Sequence, residues 1–321
     1  MPPATALAKI DTSRKYRLIT RSDMDGLVCA LLLKELDLID DVIFAHPKDM
    51  QDGIINVSDT DITTNLPFVP GVYMAFDHHA SETKRLEDKT TNHIIDAHAP
   101  SASRVVYDYF GGAESFPNVS QEIMAAVDKA DSAQFSKEEI LNPEGWTLLN
   151  FMMDARTGLG RFRNFNISNY QLMMKLIDTC REHQNIDDIL QIPDVRERVD
   201  LYFEHQLKFR EQIQRCATIH KNLIVLDYRK EDTIWAGNRF VVYALFPQIN
   251  ISIHVLWGKN KQNTVFAVGK SILNRTCKTD IGSLMLGYGG GGHEAAGTCQ
   301  TPNLRAEDLL EELIEKITSE N

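Results

Sequence analysis

The sequence of 321 residues contains no apolar run that approaches the length of a membrane span, so we expect no membrane partner. Its N-terminus also lacks the basic start and apolar segment of a secretory signal, and we therefore expect a cytoplasmic protein. The five cysteines are scattered and show no CxxC spacing, which excludes the common zinc and dithiol motifs. These absences predict a globular protein with reduced thiols.

An excess of basic residues is also missing. The chain has 34 Lys and Arg residues against 45 Asp and Glu residues, which gives a formal net charge of -11. Proteins that grip long nucleic acids neutralise many phosphates with Lys and Arg, so this balance argues against long DNA as a partner. A short or small phosphorylated ligand, bound in a locally charged cleft, remains compatible with it.

What the sequence does contain is an ordinary globular composition, with 43% hydrophobic and 25% charged residues. Its length favours two domains over one. The N-terminal part alternates short apolar runs with helical patterns, which is typical of a parallel sheet with crossover helices. The predicted strands are 16–20, 42–45, 54–57 and 72–76, and the predicted helices are 27–36, 101–110 and 121–130.

The pattern then becomes helical, and from residue 193 a long charged amphipathic stretch is typical of a connector. Beyond it, residues 222–227, 240–246, 251–257 and 264–268 are predicted strands, followed by a glycine run and a helix from about Arg305. We therefore predict three parts: residues 1–192, a connector helix 193–220, and a smaller α/β domain 221–321.

Acidic and histidine residues follow several of the predicted strands. Because the carboxyl ends of strands form the ligand crevice of an open α/β sheet, residues far apart in sequence converge there. Carboxylates held so close together repel unless a cation lies among them, and a divalent metal is the usual solution. Mixed Asp and His ligands suit Mn²⁺, Fe²⁺ or Zn²⁺, and Asp-rich sets favour Mn²⁺. The residues concerned are Asp23, Asp25, Asp59, Asp77, His78 and His79.

Four ordered motifs resemble those of the DHH phosphoesterases: SDMDG at 22–26, VSD ending at Asp59, FDHH at 76–79 and ADSAQF at 130–135. The segment GYGGGGHEAAG at 287–297 resembles the glycine-rich signature of the DHHA1 domain, which follows the DHH domain in RecJ-like nucleases and NrnA-type oligoribonucleases. The resemblance spans nearly the whole chain. It implies an α/β DHH domain with a mainly parallel sheet flanked by helices, a helical connector and a smaller C-terminal α/β DHHA1 domain.

The resemblance also implies a role for each matched position. It implies a centre for one or two Mn²⁺ ions, with Mg²⁺, Co²⁺ and Fe²⁺ as alternatives. It implies that His79 faces the substrate phosphate and that Asp77 orients an imidazole ring, as carboxylates commonly do beside metal-bound histidines. Asp23 would bind one ion, Asp25 and His78 the other, Asp59 would bridge both, and Asp131 would complete the second set, with Asp128 as its rival.

One departure from the family pattern leaves the number of ions open. Many members place a histidine four residues before the first motif aspartate, and RecJ-like members place an aspartate two residues before it. Here these positions are Ile19 and Arg21. The planar guanidinium of Arg21 suits phosphate oxygens, so Arg21 either binds substrate or forms an ion pair with the neighbouring aspartates.

The glycine run offers exposed backbone N–H groups and few side chains, an arrangement that lets a phosphate or sugar approach closely. By resemblance, it is the substrate-side lip of the C-terminal domain. The segment TGLGRFR at 157–163 lacks the preceding strand and the lysine of a phosphate-binding loop, and we predict a turn there. The predicted substrate-binding residues are Arg21, Gly290, Gly291, Gly292, His293, Ser271, Asn274 and Arg275.

The leading hypothesis is a metal-dependent phosphoesterase that hydrolyses a dinucleotide or a very short oligoribonucleotide. A second hypothesis keeps the site and changes the substrate to a nucleotide 3′-phosphate or polyphosphate. A third, motivated by Ile19 and Arg21, is a catalytically weakened nucleotide-binding or regulatory protein. The sequence does not fix the substrate, the oligomeric state, for which a homodimer is compatible, or the opening of a cleft between the domains.

Overall fold

The computed structural model describes residues 10–79, 82, 90–183 and 185–320. The chain divides into two compact units: Met1–Gln134 with Glu144–Asp200, and Phe135–Pro143 with Leu201–Asn321. Each unit has its own sheet with helices, so the α/β class expected from the sequence is confirmed. The domain limits at residues 192 and 220 stay a prediction.

The sheet of the first unit is parallel in all of its described pairs. Its strand order is β2-β1-β3-β4-β5, so the order reverses at the neighbours β1 and β3. In sheets of this kind, ligands bind at the carboxyl ends of the strands beside that reversal. The strands are β1 (Tyr16–Thr20), β2 (Ile39–Phe44), β3 (Asp61–Thr64), β4 (Met74–Asp77) and β5 (His93–Ile95).

Twelve α-helices lie in the described residues, and none of them has the length and apolarity that a membrane span requires. They are α1 (Met24–Glu35), α2 (Pro47–Gln51), α3 (Ala102–Tyr109), α4 (Gln121–Asp131), α5 (Lys137–Leu141), α6 (Gly145–Met153), α7 (Asn169–Glu182), α8 (Ile186–Gln191), α9 (Pro193–Cys216), α10 (Val241–Leu245), α11 (Ile281–Leu286) and α12 (Ala306–Glu320).

Helix α1 shows how the sequence positions the site. It begins where the Asp23 carboxylate accepts a hydrogen bond from the backbone N–H of Gly26, which satisfies one of the unpaired donors of its first turn. The apolar residues that follow are buried on every side, so α1 is a core helix rather than a surface one. It packs against α3, α4 and α7. This packing fixes the start of α1 at the carboxyl end of β1.

The second unit contains a mixed sheet with the order β10-β11-β9-β8-β7-β6, in which only β7 and β8 are parallel among the described pairs. Side chains of the central strands, α11 and α12 form its hydrophobic core. The strands are β6 (Ala217–His220), β7 (Leu223–Asp227), β8 (Ile251–Trp257), β9 (Thr264–Lys270), β10 (Gly291–His293) and β11 (Ala296–Thr301).

Two predicted strands are wrong. Residues 54–57 form no strand, and Ile54 is 64% exposed; the chain enters the sheet later, as β3. Residues 240–246 contain α10 instead of a strand. Both segments are short apolar runs, and such runs fit a strand and a buried helical turn equally well.

Candidate functional site

The loop after β1 carries the first two candidate ligands. Asp23 accepts the Gly26 N–H through Oδ1 at 3.0 Å, and the Nε of Arg21 lies 3.2 Å from its Oδ2. A Cβ on Gly26 would lie 1.9 Å from the Arg21 carbonyl oxygen, so only glycine fits this close approach. This close approach constrains the backbone conformation of the loop and thereby the positions of Asp23 and Asp25.

Asp25 is buried in the first turn of α1, and its carboxylate faces the start of α3. Its Oδ2 accepts a hydrogen bond from the backbone N–H of Ala102 at 3.0 Å. Its Oδ1 accepts the backbone N–H of Ser103 at 2.8 Å and the Ser103 hydroxyl at 2.6 Å. A helix N-terminus attracts negative charge, so the start of α3 fixes the orientation of the Asp25 carboxyl group.

The run Asp77-His78-His79 begins at the last residue of β4. Oδ1 of the fully buried Asp77 accepts the backbone N–H of His78 at 2.8 Å and lies 2.7 Å from Nδ1 of His79. The ring of His78 turns the other way, with Nδ1 3.2 Å from the carbonyl oxygen of Ala99. In each imidazole, Nδ1 is engaged by the protein, which fixes the orientation of the ring.

Asp25, His78 and Asp131 form the group that has metal-ligand geometry in the described residues. One ligand atom from each lies within 4.8 Å of the others. Nε2 of His78 is 2.8 Å from Oδ2 of Asp131, the last residue of α4. Asp128, the sequence-based rival of Asp131, faces elsewhere and binds Ser101 and Arg104.

The charges of this group are unbalanced without a cation. Burial, followed by the carboxylates of Asp131 and Asp23, raises the pKa of Asp25 to about 7. Burial acts to lower the pKa of His78, but Asp131 outweighs it and raises that pKa to about 9. Burial likewise acts to raise the pKa of Asp131, and the contact with His78 lowers it. A divalent ion would replace the proton on His78 and relieve the repulsion at Asp25.

Two buried oxygens test whether these residues suit a metal. Oδ2 of Asp77 and Oδ1 of Asn65 are buried and have no hydrogen-bond partner within the part of the chain that the structure describes. Buried polar atoms are normally paired, so unpaired oxygens beside a carboxylate and imidazole group fit a site that takes a cation or its bound ligands. The donor set of carboxylates and imidazole suits Mn²⁺ and similar ions.

Asp59 does not join this group, and its predicted position is wrong. It precedes β3 instead of following a strand, its side chain is 82% exposed, and its carboxylate lies 3.6 Å from Arg14. Asn65 follows β3 at the carboxyl end of the sheet, and its Nδ2 donates to Oδ1 of Asp23 at 3.3 Å. The strand end that was expected to supply an aspartate therefore supplies an amide.

Sequence reasoning also missed Ser103 and Arg156. The sequence PSAS before an apolar helical pattern is a helix-start signal. It marks Ser101 as the cap of α3 and so could have indicated that Ser103 lies in the first turn, where anions bind. Arg156 lies in the single turn Ala155–Thr157 after α6, where no pattern marks it. Burial acts to lower the pKa of Arg156, but the carboxylates of Asp154, Asp23 and Asp131 outweigh it and raise that pKa.

The predicted substrate-binding glycines lie in the second unit, in an exposed hairpin. Gly291–His293 forms β10, which pairs with β11 in antiparallel register. A Cβ on Gly292 would lie 2.3 Å from the carbonyl oxygen of Ala296, so this glycine is needed for the pairing itself. No side chain would obstruct a Cβ on Gly291, which faces open space. Gly290 adjoins them, and the binding role of these residues stays a prediction.

Ser271, Asn274 and Arg275 form one turn after β9. The buried Ser271 hydroxyl accepts the backbone N–H groups of Leu273 and Asn274, at 3.2 and 2.9 Å. Arg275 donates through Nε to the carbonyl oxygen of Ile272 at 3.0 Å. These contacts give the turn a structural role, and its contact with substrate stays a prediction.

No family model and no curated protein matches the chain. Among solved structures, the pGpG-specific phosphodiesterase PggH from Vibrio cholerae is 57% identical, with a TM-score of 0.82 over 96% of this chain and 100% of PggH. CDC45 from Entamoeba histolytica is 8% identical, with a TM-score of 0.52 over 97% of both chains. The likeness to CDC45 concerns the fold alone.

RecJ from Thermus thermophilus, in complex with Mn²⁺, is 13% identical, with a TM-score of 0.49 over 98% of this chain and 54% of RecJ. This superposition is too weak for a conclusion about the ion. The similarity to the Vibrio protein, in contrast, extends over both units of the chain.

Proposed function

The chain belongs to the DHH family and is a phosphoric ester hydrolase, and from this premise we propose that it cleaves the phosphodiester bond of the dinucleotide pGpG. The observation that carries the substrate is the identity to PggH, which extends over nearly the whole chain. The acidic net charge supports a short substrate over a long one. Hydrolysis of pGpG consumes one water and yields two molecules of GMP.

Asp25, His78 and Asp131 are the residues that we propose as the holders of a divalent ion, with Mn²⁺ as the first candidate. When bound, such an ion polarises the phosphoryl oxygens and lowers the pKa of an attacking water. Helix α3 keeps Asp25 oriented through the N–H groups of Ala102 and Ser103. The Ala99 carbonyl oxygen fixes the ring of His78, so its Nε2 is directed to the same place.

Asp77 and His79 act on the substrate side of this proposal. With Nδ1 engaged by Asp77 at 2.7 Å, the His79 ring has a fixed orientation from which Nε2 contacts the scissile phosphate. Asp23, bound to Arg21 and Asn65, is the proposed ligand for a second ion. The hairpin residues Gly290–His293 and the turn at Ser271 are kept as proposed substrate contacts of the second unit.

The test is a turnover assay with purified protein, Mn²⁺ and a panel of pGpG, longer RNAs, 3′-phosphoadenosine phosphate and polyphosphate. We expect conversion of pGpG to GMP, loss of activity with EDTA, and recovery on adding Mn²⁺. Turnover of a different panel member in preference to pGpG would reject the substrate, and activity that survives exhaustive chelation would reject the metal.

A matched pair of variants separates the ligand set from the surrounding acidic surface. Asp131→Asn removes a proposed ligand and should lower kcat/KM for pGpG by about 100-fold or more, with a parallel loss of Mn²⁺ affinity. Lys129→Gln changes a charge on the same helix and should leave both quantities nearly unchanged. Full activity and full Mn²⁺ affinity in Asp131→Asn would show that the ion, if bound, lies elsewhere.

A further inference from the structure

Two guanidinium groups reach the acidic cluster from different segments of the first unit. Arg21 follows β1, and its Nε lies 3.2 Å from Oδ2 of Asp23. Arg156 comes from the turn after α6. Its neighbours Asp154 and Ala155 line one pocket together with Ser22, the residue before Asp23, and its charge interacts with Asp23 and Asp131. Asp131 also interacts with Arg21. Both cations therefore belong to the surroundings of the proposed metal ligands.

Asp154 forms two hydrogen bonds with Arg156. Its Oδ1 accepts the backbone N–H of Arg156 at 2.9 Å and the side-chain Nε at 2.7 Å. The Asp154 side chain is 13% exposed, whereas that of Arg156 is 52% exposed. Across the described ranges of the chain, neither Nη of Arg156 has a hydrogen-bond acceptor. Asp154 thus fixes the orientation of the guanidinium group, and the two Nη nitrogens remain available to a ligand.

The net charge of this arrangement depends on whether a cation is bound. Without a cation, the arginines offset the carboxylates of Asp23 and Asp131. Once these carboxylates ligate a divalent ion, their charge is neutralised, and the guanidinium groups are left as excess positive charge beside the site. A planar guanidinium matches two phosphate oxygens with two parallel N–H donors, so the preferred partner of this charge is a phosphate group.

The substrate of the proposed function carries two phosphate groups, and only one of them is cleaved. We propose that Arg156, together with Arg21, binds the 5′-terminal phosphate of the dinucleotide, while the phosphodiester lies at Asp25, His78 and Asp131. This assignment rests on the proposed function and adds a specificity-determining residue to it. A terminal phosphate monoester carries about -1.5 to -2 charges at neutral pH, more than a diester, and it therefore matches two cations better.

The experiment compares pGpG with GpG, which lacks the 5′-phosphate, in the wild type and in Arg156→Gln. The wild type should prefer pGpG. The variant should lose on the order of 10- to 100-fold in kcat/KM for pGpG, the range for a hydrogen-bonded charge pair, and should change by less than about 2-fold for GpG. Competitive inhibition constants of both dinucleotides are measured as well, so the comparison holds even if GpG is cleaved too slowly to follow.

Two further variants control for charge and for orientation. Arg163→Gln removes an exposed arginine from the same loop and should leave both substrates unaffected. Arg156→Lys keeps the charge without the planar donor pair, and it should restore only part of the preference. Asp154→Asn should weaken the preference while Arg156 is still present, because it reduces the charge that orients the guanidinium.

An equal loss for pGpG and GpG in Arg156→Gln would overturn the assignment, since it would place the residue at the scissile phosphate or in the structure of the loop. An unchanged preference would overturn it as well. Failure of the proposed function is distinguishable, because the wild type would then turn over neither dinucleotide or would prefer another member of the panel.

Discussion

At the scale of single residues, Asp59 before β3 and Asn65 after it are the two candidates for one position of the site. Asn65 lies beside Asp23, whereas Asp59 is exposed before the strand. Asp59→Asn should therefore keep kcat/KM for pGpG within about 2-fold of the wild type, because an exposed ion pair contributes little. Asn65→Ala should reduce activity, because it removes the amide that holds Asp23. Inactivity of Asp59→Asn, in a protein of unchanged melting temperature, would contradict the observed placement.

The residues that the sequence did identify share one property: they lie next to a strong local pattern. Asp23 and Asp25 follow an apolar strand directly, and Asp77 ends another. The position of Asp59 depended on the limits of a short apolar run, and limits of this kind are poorly encoded locally. Arg156 was missed for a different reason, because the turn that carries it comes next to the Asp23 loop only when the chain folds.

At the scale of elements, one segment, which runs from Ala99 into α3, contacts all three proposed metal ligands. It binds His78 and Asp25 directly, and it reaches Asp131 through helix α4. The Ala99 carbonyl binds His78, the start of α3 binds Asp25, and Arg104 binds Asp128, one turn before Asp131. The Arg104 and Asp128 side chains are 23% and 19% exposed. The ion pair therefore connects α3 to α4 where α4 supplies its ligand.

Asp128→Asn should weaken this connection. We expect a loss of about 1–3 kcal/mol in the free energy of unfolding, because Arg104 is left partly buried without its charged partner. Mn²⁺ affinity, measured by calorimetry, should fall by about 10- to 100-fold as Asp131 loses its position. Asp108→Asn is the control. The Asp108 carboxylate also lies near Arg104, at 3.8 Å, but its side chain is 65% exposed. Equal effects of the two substitutions would argue against a positioning role.

The helices were easier to foresee than the strands of the second unit. Long periodic segments such as α4 and α12 bury one face, and the period of that face is visible in the sequence. The five-residue helix α10 is too short to show a period, and its residues are almost all buried. Tertiary packing therefore decides its conformation, which is why 240–246 was wrongly predicted as a strand.

At the scale of the whole molecule, acid should destabilise the fold through His254 in β8. Burial, with a smaller contribution from the Arg239 guanidinium, lowers the pKa of His254 to about 4, and the ring of Tyr228 lies 5.9 Å away. An unfolded histidine titrates near 6.5, so the unfolded chain binds the proton first. Stability contributed by the neutral ring is complete above about pH 6.5 and is lost as the pH falls towards 4, at up to ~1.4 kcal/mol per pH unit.

Urea unfolding of the wild type and of His254→Gln between pH 7.5 and 5 measures this effect. The variant cannot take up the proton, so its free energy of unfolding should fall less steeply on acidification. The same slope in both proteins would show that other groups carry the acid sensitivity. The metal site does not enter the comparison, because both proteins contain it unchanged.

The path of the chain has a consequence for how the protein is made. The segment Phe135–Pro143 groups with Leu201–Asn321, although it lies between two stretches of the first unit. Helix α5 packs against α10, which comes much later in the chain. During translation, α5 therefore leaves the ribosome before α10 has been synthesised. The second unit cannot mature until synthesis is almost finished. For the same reason, a single genetic crossover cannot exchange one whole unit for another.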